Sequence, residues 1–254
     1  MLRPRLIPCL LVRNKGLVKT VRFGESKYVG DPINAVKIFN EKAVDELVVI
    51  DIDATAKGTE PNYELIANLA SECRMPLCYG GGIKSVQQAR QIVSLGVEKV
   101  ALSSAAIERP QLVAEIAEQV GNQSVVTVLD IKKKRLWSRY EVFTHNGKRA
   151  TGQDPVSLAR TLEAQGAGEI VINAIDRDGV MEGYDLELAR KIREATSVPL
   201  TVLGGAGSLA DVRALIDAFG VIGASAGSLF VFKGIYRAVL INYPSAEERR
   251  DLLR

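Results

Sequence analysis

The chain predicts an α/β fold, a single (β/α)8 (TIM) barrel made of two duplicated half-barrels, and three observations lead there. Eight short apolar runs rich in β-branched residues recur along the sequence, separated by amphipathic stretches. The runs are continuous rather than alternating, as expected of strands buried on both faces of a parallel sheet. The two halves also match under a shift of 123 residues (154 − 31), the signature of an internal repeat. At 254 residues, 47% apolar and 25% charged, the chain suits one barrel and can bury its core without disulfides. An open doubly wound sheet is the competing arrangement, and the repeat favours the closed barrel.

The strands are expected, in order, at Leu6–Val12, Glu46–Ile52, Pro76–Tyr79, Lys99–Leu102, Val125–Ile131, Glu169–Ile175, Pro199–Leu203 and Val221–Ala224. Between them, Asp31-Pro32 and Asp154-Pro155 place a helix cap before a proline at the first helical position. Ser85 and Ser208 open later helices in the same way. The shift carries Asp31-Pro32 onto Asp154-Pro155, Glu46 onto Glu169, Asp53 onto Asp176 and Gly82 onto Gly205. With one residue inserted it also carries Ser104 onto Ser228. The half-barrels then span about 1–122 and 123–254. Each alone would leave open sheet edges, so residues 1–254 read as one domain.

Composition excludes several functions. The net charge is +3 and the basic residues are scattered, which gives no footprint for nucleic acid. No apolar run approaches the ~18 residues of a membrane span, and the N-terminus lacks a signal-peptide layout, so a cytoplasmic protein is expected. Cys9, Cys73 and Cys78 are odd in number and lack metal spacing, which predicts reduced thiols. The only histidine, His145, lies in Thr144-His-Asn-Gly147 and is expected to be an exposed turn residue. No metal site and no cofactor follow from such a set. The glycine motifs lack the spacing of a dinucleotide fingerprint. The stretch Lys132–Tyr140, with Trp137, reads as a solvated loop after the fifth strand, covering a ligand. Glu247–Asp251 reads as a charged helix end.

The first functional signal is a pair of glycine loops. Gly80-Gly-Gly-Ile83 follows the third strand and Ala101-Leu-Ser-Ser-Ala105 the fourth; Gly204-Gly-Ala-Gly207 and Ala224-Ser-Ala-Gly-Ser228 are their counterparts after the seventh and eighth. Glycine lets backbone approach an oxyanion closely, and the next helix start supplies unpaired N–H groups. Either loop alone could be a tight βα turn. The pair, half a barrel apart, points to a phosphorylated small-molecule ligand with a phosphate at each end.

Ile7-Pro-Cys-Leu10, Gly30-Asp-Pro32, Asp45-Glu-Leu47, Gly80-Gly-Gly-Ile83, Gly166-Ala-Gly-Glu-Ile170, Asp176-Arg-Asp-Gly179, Gly183-Tyr-Asp185 and Gly204-Gly-Ala-Gly207 together resemble the HisF family, the cyclase subunits of imidazole glycerol phosphate synthase. The resemblance runs from about Arg5 to Phe232. It implies a bisphosphate-binding barrel paired in a heterodimer with a HisH-like glutaminase. The family joins ammonia to a ribulosyl aminoimidazole bisphosphate, giving imidazole glycerol phosphate and an aminoimidazole carboxamide ribotide.

The resemblance also assigns residues. The family's general acid and base are aspartates on the first and fifth strands; Asp130 stands at the second place and Leu11 at the first. Lys19, Asp51, Asn173 and Asp178 fall at ligand-binding places, and Gly82, Ser103, Ser104, Gly179, Gly205, Gly227 and Ser228 at phosphate-binding ones. Asn173 stands where the family often has threonine, Leu203 where it has a small residue and Ser103 where it has asparagine. Asp130 could alternatively serve only the loop backbone. At the opposite end, Arg5, Glu46, Lys99 and Glu169 match the charged ring that gates ammonia, although such a ring could equally be a stabiliser. Asp45 and Glu98 beside it would suit partner docking.

Three readings follow. Leu10-Leu11 with Val18-Lys-Thr20 resembles a subgroup of second HisF-like copies, found with a HisH-like glutaminase and a sugar amidotransferase in surface-polysaccharide biosynthesis. Under that reading the barrel conducts ammonia for sugar amidation while its own cyclase chemistry is impaired. The second reading is a working cyclase of histidine biosynthesis, with Asp51 or water standing in for the lost group. The third is a non-enzymatic bisphosphate-binding assembly subunit.

Overall fold

In a computed structural model, which describes residues 3–134 and 139–252, eight parallel strands close on themselves. They are β1 (Arg5–Arg13), β2 (Leu47–Asp51), β3 (Leu77–Gly80), β4 (Lys99–Leu102), β5 (Val125–Lys134), β6 (Glu169–Ala174), β7 (Leu200–Leu203) and β8 (Gly223–Ala226). Each pairs with the next, β5 with β6 included. β8 returns to β1 with Arg5 opposite Gly223, so the barrel has no open edge.

The continuous apolar runs have a direct cause, because successive side chains point to opposite faces of a strand and here both faces are dry. Leu6, Leu47, Leu77, Val100, Leu129 and Ile170 pack outward against the helices. Cys78, Ala101, Val126 and Val171 form a separate inner cluster with Val48, Ile50, Val128 and Leu203. Each such aliphatic side chain contributes roughly 1.5–3 kcal/mol when fully buried. The helices between are opened by the expected caps. Asp31 accepts from the Asn34 N–H at 2.8 Å and Asp154 from the Ser157 N–H at 2.9 Å, each before a proline. Ser85 accepts from the Gln88 N–H, and Ser208 with Asp211 forms a reciprocal capping box.

The expected boundaries mostly hold within a residue, with larger corrections at β8 and at the end of β5. β8 begins at Gly223, not Val221, because Val221 is exposed and β1 selects the partners, Arg5 donating to the Ile222 carbonyl. Antiparallel hairpins were not foreseen in three places among the described residues. Strands Gly16–Lys19 and Lys27–Gly30 extend from β1, and Phe232–Lys233 pairs with Ala238–Val239. The third replaces the solvated loop expected at Lys132–Tyr140: β5 runs on to Lys134 and pairs with Arg139–Thr144. Lys132 lies over the Phe143 ring and Lys133 over the Tyr140 ring, so the charged run still makes a strand. Trp137 lies outside the described residues. No helix among these residues is long and apolar enough to cross a membrane.

Candidate functional site

The ring at the N-terminal end of the barrel is assembled as four alternating charges. Lys99 Nζ lies 2.8 Å from both Glu46 and Glu169, Arg5 lies 2.8 Å from Glu169, and Arg5 also pairs directly with Glu46. Thr201 donates to Glu169 at 2.6 Å. Both glutamates are buried, at 4% exposure. Burial alone would raise the Glu169 carboxyl, but Arg5 and Lys99 outweigh it and hold it below the usual range. The pairing is required electrostatically, since an unpartnered buried ion costs several kcal/mol. Directly above lies the apolar cluster around Cys78, Val126 and Val171.

At the C-terminal mouth the structure gathers Leu11, Lys19, Asp178, Gly179, Leu203, Gly205, Gly227 and Ser228 around one cleft. Leu11 sits opposite Ile50 of β2 and Val18 of the first hairpin. Lys19 is on that hairpin, not on a loop, with its Nζ donating to the Cys9 carbonyl at 2.7 Å. It lies so close to Gly227 that a β-carbon there would collide with it. Burial lowers the Lys19 ammonium, against the pull of Asp178. Burial pushes Asp130 up to about 7; the Asn173 amide, donating at 3.1 Å, lowers it and the Asp178 charge raises it. Burial likewise raises Asp178, against Lys19 and the Thr20 hydroxyl. A carboxyl poised near 7 can give or take a proton at neutral pH.

The alternative role for Asp130, holding loop backbone, belongs instead to Asp51. Its Oδ1 accepts from the Asp53 and Ala54 N–H groups at 2.9 and 3.1 Å. No backbone amide among the described residues donates to Asp130. Asn173 Oδ1, beside it, is buried with no partner among these residues, while the Ser103 hydroxyl lies close enough to Asp130 to lower its carboxyl. An unmet polar atom in such a place is the mark of a site awaiting a polar ligand.

The glycine loops are shaped by packing as well as by any anion. Gly82 (φ +75°) and Gly205 (φ +116°) would each drive a β-carbon into facing backbone, Gly205 to 2.1 Å from the Gly183 carbonyl. Gly179 (φ +68°) meets the Thr20 carbonyl in the same way. The Gly82 N–H already donates to Thr55, and the Gly207 and Ser208 N–H groups to Asp211. What remains open is the first turn of two short helices, Ser104–Glu108 and Ser228–Val231, which receive no side-chain cap from Ser103 or Gly227. They stand after β4 and β8, across the mouth from one another.

Two expectations need correction. His145 is half-buried rather than exposed, because Ser104 accepts its backbone N–H at 3.3 Å and ties the turn to the β4 loop. Asp45 is not free for docking as expected: its side chain is 5% exposed and accepts from the Leu6 N–H, Arg3 and Tyr243. Glu98, by contrast, is exposed, and it also accepts from the Leu77 N–H at 2.7 Å. Sequence reasoning missed the role of Thr20 beside Asp178, and it missed Thr201. Their long-range partners, Asp178 and Glu169, leave no local signal, although Thr20 directly follows a singled-out residue.

Comparison with known proteins agrees with this geometry. The family model for the histidine biosynthesis protein matches residues 5–236. A Leptospira interrogans protein provisionally named imidazole glycerol phosphate synthase subunit HisF is 58% identical over 252 residues, 99% of each chain. A Vibrio vulnificus protein given the provisional subunit name hisF3 is 57% identical, covering 100% of this chain and 97% of that one. One from Pseudomonas aeruginosa, provisionally hisF2, is 52% identical over 98% of both. With the closed barrel, the basal ring and the mouth in place, the chain belongs to the histidine biosynthesis protein family, among its HisF-like barrels.

Proposed function

We propose that the chain is the ammonia-conducting barrel of a glutamine amidotransferase assembly. It receives ammonia at the floor from a HisH-like glutaminase and passes it to sugar amidation, its own cyclase step being impaired. The observation that carries this reading is Leu11 facing the same cleft as Lys19 and Asp178 while all four ring residues remain paired. A positioned proton-transfer group typically contributes ~10²–10⁴-fold, and leucine can neither accept nor donate a proton. The numbered names of the Vibrio and Pseudomonas relatives, which suit second copies, also support it.

The ring and the inner cluster fit conduction. With both cations bridging both glutamates, the floor is shut, and opening requires breaking one pair. The apolar lining above it favours neutral ammonia over ammonium, since an isolated ion in such a setting is costly. The wall continues to the mouth through Ile50, Leu203 and Leu11, so ammonia meets few polar groups before Asp130. Arg5, Glu46, Lys99 and Glu169 form the gate. Lys19, Asp51, Asn173 and Asp178 hold a ligand, with Gly82, Ser103, Ser104, Gly179, Gly205, Gly227 and Ser228 at its phosphates.

One observation favours the cyclase reading: Asp178 brings a second carboxylate beside Asp130, electrostatically felt by it. Asp51 does not serve as the stand-in, being held by the Asp53 and Ala54 amides. The deciding experiment combines the chain, a HisH-like glutaminase, a sugar amidotransferase, glutamine and an acetamido sugar substrate, and follows the acetamidino product by mass. Product that depends on the chain supports the proposal. Rescue of a histidine auxotroph lacking HisF by the wild-type chain would establish the cyclase instead.

A further inference from the structure

The mouth carries an apolar projection that neither the fold nor the proposed chemistry uses. Among the described residues seven large hydrophobic side chains are exposed, and six of them, Val21, Tyr28, Ile235, Tyr236, Val239 and Leu240, lie in the segments 21–30 and 232–240. These segments touch, with Lys27 Nζ lying 5.7 Å over the Phe232 ring. Arg237 reaches the Val180 carbonyl beyond β6. Segment 21–30 contains the hairpin strand that pairs with Lys19, and segment 232–240 leaves the short helix that opens at the β8 mouth. Ile235 and Tyr236 stand at its tip, 88% and 90% exposed. An isolated surface leucine or isoleucine needs no explanation, but six on two segments in contact with each other mark an interaction site. The charges around it are one-sided: Arg22, Lys27, Lys233 and Arg237 against Glu25 alone.

We propose that this projection docks the protein that consumes the ammonia, through an apolar recess bordered by carboxylates on that partner. The inference rests on the reading above, in which ammonia leaves the mouth for chemistry on another protein. Ammonia released into open solvent would be diluted and protonated, so the consumer must cover the mouth. The projection lies at the end of the barrel opposite the ring, and the consumer and the glutaminase therefore bind without competing. Tyr and large aliphatic anchors carry most of the energy of such contacts, and the basic collar would set orientation and association rate.

The test uses the full chain in complex with its glutaminase, and the sugar amidotransferase as the probe. Binding is measured by sedimentation velocity and biolayer interferometry for wild type, I235S/Y236S and Lys233→Glu. The side chains replaced are exposed, so the barrel stays intact, and unchanged stimulation of glutamine hydrolysis verifies this in each variant. The expected result is at least tenfold weaker binding for the double variant, about 1.4 kcal/mol, and a smaller, salt-dependent loss for Lys233→Glu. Equal binding and equal amidation by wild type and double variant would overturn the docking inference and leave the proposed function standing. Absence of amidation even with wild type would overturn both. Two other outcomes assign the projection elsewhere and overturn the inference. One is self-association of the wild-type chain that the double variant abolishes. The other is wild-type binding to vesicles of phosphatidylcholine and phosphatidylglycerol that the double variant abolishes.

Discussion

Asp130→Asn should make the protein more stable, and only at neutral to alkaline pH. Burial and the Asp178 charge raise the Asp130 carboxyl from 3.8 to about 7, a gap of about 3 pH units between unfolded and folded chain. Between those values the folded state holds a proton that the unfolded state has lost, so stability falls as pH rises from about 4 to about 7. Above that window the ionised carboxylate is carried at a cost. At 1.36 kcal/mol per unit the ceiling is about 4 kcal/mol, and relaxation around the charge reduces it to roughly 2–4 kcal/mol. Asparagine keeps the shape and can still accept from Asn173, which donates to Oδ1 at 3.1 Å. Thermal unfolding of wild type and variant at pH 4.5 and pH 8 gives the readout. At roughly 2–4 °C per kcal/mol, a rise of about 5–10 °C is expected at pH 8, with near identity at pH 4.5. A variant that is destabilised at pH 8, or shifted equally at both pH values, would refute the reasoning. Such a cost fits the proposed role of Asp130 at the ligand rather than a role in holding the fold.

Further perturbations separate floor, mouth and loops. Arg5→Met leaves Glu46 and Glu169 sharing Lys99, and removing one partner of a buried pair costs roughly 3–5 kcal/mol. Differential scanning calorimetry should show a marked fall in Tm at pH 7 that shrinks at acid pH, where Glu169, freed from Arg5, becomes protonated. The same variant should lose stimulation of the HisH-like glutaminase. Gly205→Ala forces a side chain to φ +116° and into the Gly183 carbonyl; it should lower Tm by several degrees and abolish binding of inorganic phosphate by isothermal calorimetry. Gly220→Ala, at φ +66° and ψ −114° but with nothing within 4 Å of its added carbon, should cost roughly 1–3 kcal/mol of backbone strain and leave phosphate binding intact.

Much of the barrel could be read from the sequence because its signals are local. Asp31-Pro32 and Asp154-Pro155 announce helix starts, and the apolar runs mark strands whose two faces are both buried. The ring was legible through the resemblance to the HisF family, which places Arg5, Glu46, Lys99 and Glu169 together, and the structure supplies the physical reason, two cations each shared between two buried carboxylates. The hairpins were not legible. Lys132-Lys-Lys134 has the composition of a solvated loop, and only the facing Tyr140 and Phe143, which cover the lysine stems, make it a strand. Asp45 failed for the converse reason. Its composition suits a surface, but Tyr243, almost two hundred residues away, folds back to bury it. β8 was misplaced because Val221 looks like a strand residue, whereas register is set by β1 through Arg5 and Gly223. At the mouth, Leu11 was visible as a departure from the family's pattern, but Asp178's approach to Asp130 depends on the β6 loop crossing beside the first hairpin at Thr20.

The most direct measurement compares wild type with Leu11→Asp, each assembled with a HisH-like glutaminase and supplied with the ribulosyl aminoimidazole bisphosphate. Glutamine hydrolysis and formation of imidazole glycerol phosphate are followed together. Stimulated hydrolysis in both, with cyclised product absent from wild type and at least a hundredfold higher in the variant, is the predicted result. Wild-type turnover of the bisphosphate that Leu11→Asp fails to increase would contradict the account, because Asp130 and Asp178 would then suffice for the chemistry.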